Sequence, residues 1–219
     1  YNWEKMAEDG FAWWKSRLAK MSEYFDAFRI DHILGFFRIW EIPLWTKSGL
    51  NGYFNPALPF PAHELQGQGF DVNNFDLFME DPRKTGHYHP KIGAKSTQGY
   101  LYLDAYRKAA FDRLYDDFFY RRNNEFWKDK AMQKLPALLD STGMLACGED
   151  LGMIPATVPQ VMSDLRILSL EIQRMPKSVH DTFANPAWYP YLSVCTTSTH
   201  DMNPIRAWWE EDRQVTQQF

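Results

Sequence analysis

The chain has 219 residues, 45% of them hydrophobic and 24% charged, enough apolar material for a packed core and too much for a disordered segment. A formal net charge of -4 argues against the basic stripe of a nucleic-acid binder, and no apolar run is long enough to span a membrane. The two cysteines, Cys147 and Cys195, make no disulfide framework; both fall in expected strands and read as small buried hydrophobes in a reducing, cytoplasmic compartment.

In chain order, Trp3, Met6, Ala7, Phe11, Trp14, Leu18 and Met21 recur at spacings of three and four, which predicts one amphipathic helix over 4–24. It leads into a strand over 27–31, followed by an apolar stretch that Pro43 ends. From Leu44 to about Gly99, glycine and proline are dense and periodicity is lost. This reads as a loop-rich insertion over 44–100, a long excursion of turns with a short hairpin or helical turn. Helical pattern resumes over 101–140, with Asp104 as N-cap, a second piece over 124–139 and a stop at Ser141-Thr142-Gly143. Strands over 144–147, 167–172 and 193–197 follow, separated by a helix near 156–164 and ending in a helix over 204–218. Short buried strands alternating with helices predict the α/β class with a parallel sheet, and four such strands are part of what a closed eight-stranded barrel requires. The start without Met and the stop after a charged helical stretch read as an excised segment of a longer polypeptide.

Three of those strands end on acid. The motifs are Phe28-Arg29-Ile30-Asp31-His32, Cys147-Gly148-Glu149-Asp150-Leu151-Gly152 and Ser198-Thr199-His200-Asp201. A carboxylate just past a hydrophobic strand is costly unless it is paired or used. Arg29 and Asp31 share one face of their strand, so the guanidinium keeps the carboxylate ionised, as a nucleophile must be. Glu149 follows Leu145, Ala146 and Cys147; partial desolvation there would raise its pKa toward that of a general acid. An ionised carboxylate and a protonated acid flanking one bond is the arrangement of retaining glycosidases. The bland alternative is an Arg29–Asp31 ion pair and a helix cap at Glu149-Asp150.

The same motifs, with Gly148 to Pro155, Tyr1-Asn2-Trp3, Gly10 to Trp14, Trp40-Glu41-Ile42-Pro43 and Trp208-Trp209, resemble the 4-α-glucanotransferases of glycoside hydrolase family 77. The resemblance implies a fold that is the central-to-C-terminal part of a (β/α)8 TIM barrel with a long insertion. It further implies Asp31 as nucleophile, Glu149 as acid/base and Asp201 as stabiliser of an oxocarbenium-like transition state. Arg29, His32, His200 and Trp3 would be substrate-binding, Arg29 by orienting Asp31 and His200 by hydrogen-bonding a sugar hydroxyl. Donors and acceptors would be α-1,4-glucans, with no cofactor and no metal. Asp31 and Glu149 are 118 residues apart, far more than one helix and loop need. Asn55 to Pro59, Ile172 to Pro176 and Arg206 to Asp212 are similar to the disproportionating enzyme 2 type, which carries an insertion there.

Weaker signals point nowhere else. His87-Tyr88-His89 lacks neighbours at metal-ligand spacing. Tyr115, Phe118, Phe119 and Tyr120 lie along one helix and read as packing beneath the insertion. A hydrolase of the α-amylase clan, or a non-catalytic glucan-binding segment, are the rival readings. The role of the insertion and the oligomeric state are left open by the sequence.

Overall fold

The computed structural model describes residues 1–219 and is mixed α/β. Its strands, in chain order, are β1 Ala27–Ile30, β2 Ile39–Glu41, β3 Tyr53–Asn55, β4 Phe60–Pro61, β5 Phe78–Glu80, β6 His87–Pro90, β7 Leu145–Gly148, β8 Ser169–Ile172 and β9 Ser193–Thr196. The chain divides into two compact units, one of Tyr1–Leu34 with Met132–Phe219 and one of Gly35–Ala131.

In the first unit β1 pairs with β7 and β8 with β9, both parallel. A parallel bridge between Cys147 and Leu168 joins the pairs, carried by Gly148 N to Leu168 O at 2.8 Å and Leu168 N to Ala146 O at 2.9 Å. The order is therefore β1-β7-β8-β9, all running one way. Parallel neighbours need a crossover, and helix Val158–Asp164 supplies it between β7 and β8. Val158, Val161 and Met162 of that helix are buried with Ile33, Ala146, Ile167, Leu170 and Ile172, which form the core beneath the strands. Gly148 lies where this core is tightest. A Cβ there would stand 2.7 Å from Ile33 Cδ1 and 3.1 Å from Met162 Cε.

The four strands fall where the apolar runs put them, shifted by a residue or two. The helices differ more. Instead of one helix over 4–24 there are two, Trp3–Ala7 and Ala12–Met21, because Gly10 and Phe11 take left-handed backbone at φ +66° and +63°. Glycine does so freely, whereas Phe11 is held there by its buried ring. The expected 204–218 helix is also two, Ile205–Glu211 and Arg213–Thr216. Asp212 between them is extended and caps the second, its Oδ1 accepting from Gln214 N at 2.8 Å and Val215 N at 3.2 Å. The expected 124–139 helix breaks into Asn124–Met132 and Leu135–Leu139, the latter opening with Pro136 in its first turn. Cys147 is half-buried but Cys195 is exposed, contrary to expectation, because β9 pairs only with β8 and its Val194 is open to solvent as well.

The second unit holds an antiparallel β2–β3 pair and an antiparallel β4-β6-β5 sheet, so residues 44–100 carry four of its five strands. Helix Ala105–Asp117 is capped as the sequence implies, Arg107 N donating to Asp104 Oδ1 at 2.8 Å. Its core is aromatic: Trp127, Phe54, Phe60, Phe78, Phe111, Phe118 and Phe119 are buried and meet largely edge to face. The Arg38 guanidinium lies 3.9 Å from the Phe54 ring centre and 4.6 Å from that of Trp127, and burial lowers its pKa to about 10. His89 is buried too, its Nε2 2.8 Å from Asp81 Oδ2, and burial lowers its pKa. Tyr120, unlike Phe118 and Phe119, is exposed.

No helix of the structure is long and apolar enough to cross a membrane.

Candidate active site

The ends of β1 and β7 are locked together beyond the strands themselves. Glu149 N donates to Ile30 O at 2.9 Å, and Ile33 N donates to Glu149 O at 3.0 Å. The ladder thus runs past the β1 end on one side and the β7 end on the other. Between these bonds the chain reverses through His32, whose φ of +50° frees its own N–H to face β7. That N–H donates to Glu149 Oε2 at 2.9 Å.

Strand alternation sends Phe28 into the core and Arg29 out on the face that Asp31 also takes. Arg29 Nη2 donates to Asp31 Oδ1 at 2.7 Å and to Glu149 Oε2 at 3.2 Å. One nitrogen serving both acids puts those oxygens within about 6 Å of each other, against the 5–5.5 Å separation typical of retaining glycosidases. Both donors to Glu149 fall on Oε2, which leaves Oε1 to meet another group. The two carboxylates differ in setting: the Glu149 side chain is 17% exposed and that of Asp31 is 69% exposed.

A cavity of about 490 Å³ opens beside β7, β8 and β9, walled by Arg29, Glu149, Leu170, Thr196 and His200 among others. His200 reaches it from the loop after β9, its Nε2 3.4 Å from Asp201 Oδ2. Asp201 itself is 75% exposed and, like Asp31, is not part of the wall. Trp3 is elsewhere in the unit: its indole stacks on Trp14 at 6.0 Å, with the Lys134 ammonium 5.1 Å from its ring centre. The structure thus brings together Arg29, Asp31, the His32 backbone, Glu149 and His200, and carries Asp201 on the loop beside them.

The sequence reading missed what lies under this cluster. Asp150 turns the opposite way from Glu149 and is buried. Its Oδ1 accepts from Leu170 N at 3.0 Å and its Oδ2 from Lys177 Nζ at 2.8 Å, while Lys177 also meets Glu171 Oε1 at 2.7 Å. Burial pushes the Asp150 carboxyl up, against the opposing pull of Lys177 and the Leu170 amide. No helix begins at Asp150, since the next opens at Val158, so the acid pins β8 to β7 and does not cap a helix. The signal was two consecutive acids after a strand, which must face opposite sides. Cys147 lies next to the site, and burial pushes its thiol up.

The sequence profile of glycoside hydrolase family 77, described as 4-alpha-glucanotransferase, matches residues 1–219. This chain belongs to that family. It is 34% identical over 289 residues to the 4-alpha-glucanotransferase DPE2 of Oryza sativa subsp. japonica, covering 97% of the chain and 30% of the rice protein. With the 4-alpha-glucanotransferase of Chlamydia pneumoniae it shares 26% identity over 221 residues, covering 100% of the chain and 29% of the relative. A shorter match of 83 residues, 37% of the chain and 14% of the relative, is 42% identical to the chloroplastic/amyloplastic 4-alpha-glucanotransferase of Solanum tuberosum. The chain therefore spans about 30% of the length of the rice 4-alpha-glucanotransferase it matches.

Proposed function

We propose that this chain carries the reacting groups of a retaining 4-α-glucanotransferase acting on α-1,4-glucans. One observation carries the reading: Arg29 Nη2 donates to both Asp31 and Glu149, which keeps the bridged oxygens of two carboxylates of unequal exposure no more than about 6 Å apart, compatible with the roughly 5–5.5 Å of retaining enzymes. In this reading Asp31 attacks the anomeric carbon while Glu149 gives its proton to the departing glycosidic oxygen. The C–O bond breaks, a glycosyl-Asp31 ester forms, and the shortened glucan leaves as an alcohol. The 4-hydroxyl of an acceptor sugar then loses its proton to Glu149 and attacks the same carbon, releasing Asp31 and restoring the acid. Asp201 faces the oxocarbenium-like charge in both steps, and His200 holds a sugar hydroxyl. His32 contributes its backbone N–H to Glu149, and a sugar contact by Trp3 would use the part of the indole that Trp14 leaves uncovered.

We further propose that β1-β7-β8-β9 is a section of a (β/α)8 barrel. Its parallel order, the helical crossover after β7 and the acids gathered at the C-terminal ends of the strands support this. Four strands are half of such a barrel, so the glucan cleft belongs to the complete polypeptide and the assay is made on it. The free thiols of Cys147 and Cys195 suit a cytoplasmic enzyme. Incubation with maltose and glycogen tests the proposal. Transfer yields free glucose together with longer maltodextrins; a net rise in reducing ends without longer products refutes it in favour of hydrolysis.

A further inference from the structure

Asp201 is the most exposed of the three acids, its side chain 75% exposed against 69% for Asp31, and its own surroundings hold it loosely. Its side chain meets the His200 ring at 3.4 Å, and its backbone N–H reaches Thr199 Oγ1 at 3.3 Å, both within the same loop. Arg174 holds that loop from outside. Its Nε donates to Thr197 O at 3.0 Å and its Nη2 to Asn203 O at 2.6 Å, carbonyls that stand on either side of Asp201 in sequence. The guanidinium also lies 4.8 Å from the ring centre of Trp208, within reach of a cation–π contact. Arg174 in turn has a rigid base. Gln173 N donates to Thr196 O at 2.9 Å and Met175 N to Ile172 O at 3.0 Å, so the arginine rises from the register of β8 against β9.

We propose that Arg174 is a positioning residue for the reaction, setting the distance of Asp201 from the Asp31–Glu149 pair by clamping both ends of the 197–203 loop. This rests on the glucanotransferase reading above. A planar guanidinium can hold two carbonyls at once in a fixed geometry, whereas an ammonium is a point donor on a flexible stem. Arg174 touches no reacting atom; it acts through Asp201.

The test is a cycle of Arg174→Gln, Asp201→Asn and the double variant in the complete polypeptide, with maltose and with α-maltosyl fluoride as donors, the fluoride keeping slow variants measurable. Arg174→Gln is expected to lower kcat about 10²-fold, the cost of a misplaced group of this kind, with KM nearly unchanged. On the Asp201→Asn background the same change is expected to have almost no further effect, because the group it positions is already gone. Arg174→Lys, which keeps the charge and one hydrogen bond, should fall between wild type and Arg174→Gln, and it carries the cycle should the glutamine variant fail to fold. An undiminished second loss on the Asp201→Asn background, or wild-type kcat in both arginine variants, overturns the inference. Absence of transfer by the wild-type protein, or full activity in Asp201→Asn, instead sinks the functional reading beneath it.

Discussion

Replacing Lys177 with methionine tests how the layer beneath the acids is held. Methionine fills much of the lysine stem but removes the ammonium that donates to Asp150 Oδ2 at 2.8 Å and Glu171 Oε1 at 2.7 Å. The Asp150 side chain is only 4% exposed, and its remaining donor from outside its own residue is the Leu170 amide on Oδ1. Breaking a fully buried ion pair from one side costs about 3–5 kcal/mol. The Lys177 side chain is 29% exposed, so solvent shares the burden and about 2 kcal/mol is expected near neutral pH. The sign with pH follows from the direction of the shift. Burial raises the folded-state pKa of Asp150 above its ordinary value, so its neutral form is the one the fold prefers. Its contribution to stability is therefore greatest below the unfolded pKa and declines as pH rises through the folded one. Removing Lys177 takes away a group that opposes the rise, so the penalty of the variant grows with pH and shrinks in acid. Hydrogen exchange of the Leu170 amide, read on the β8 peptide after correction for intrinsic rates, reports it locally. At pH 7.5 the variant should lose about 30-fold in protection, the equivalent of 2 kcal/mol, and at pH 4 only a small part of that. Equal losses at both pH values, or none at either, would refute the account of Asp150 as a buried acid held by Lys177.

Three shorter predictions concern the site and its support. Glu149→Gln in the complete polypeptide should lower kcat on maltose by about 10²–10⁴-fold, yet far less on α-maltosyl fluoride, whose leaving group needs no proton; equal losses on both donors would remove Glu149 from the role of acid. Arg29→Lys should cost roughly 10²-fold in kcat, because an ammonium on a shorter, more flexible stem does not hold the fixed position from which Nη2 donates to both Asp31 and Glu149, and steady-state kinetics that leave kcat intact would show that the bridge is dispensable. Gly148→Ala should destabilise the protein by about 1–3 kcal/mol through its contacts with Ile33 and Met162, read as a fall in thermal midpoint, and Ile33→Val should recover part of it; no recovery would mean that the crowding lies elsewhere.

How much of this was legible in the sequence depended on the length of the signal. The four parallel strands were readable because each is an apolar or β-prone run ending on a motif or a turn, even though β9 leaves Val194 and Cys195 open to solvent. The three acids were readable for the same reason, since a charge after such a run stands out. Residues 44–100 were opaque. Strands such as β3, β4 and β5 span two or three residues, too few to display a period of two, and β4 even contains Pro61. The break at Phe11 could not be anticipated, because a non-glycine residue in left-handed backbone is imposed by packing. The roles of Lys177 and Arg174 escaped notice since Asp150 lies 27 residues from Lys177, and Thr197 and Asn203 lie 23 and 29 residues from Arg174, leaving only the contact of Lys177 with Glu171 local. Only the fold makes such pairs neighbours.

The bonds that tie Glu149 to the turn after β1 impose an asymmetry on how this centre can be altered. Main-chain bonds from Glu149 N to Ile30 O and from Ile33 N to Glu149 O fix the backbone from which the first two acids project, and Arg29 then spans their side chains. The third acid hangs on a loop whose grip is a handful of side chains. Exchange of those side chains would therefore shift Asp201 while leaving the backbone ties between the ends of β1 and β7 in place.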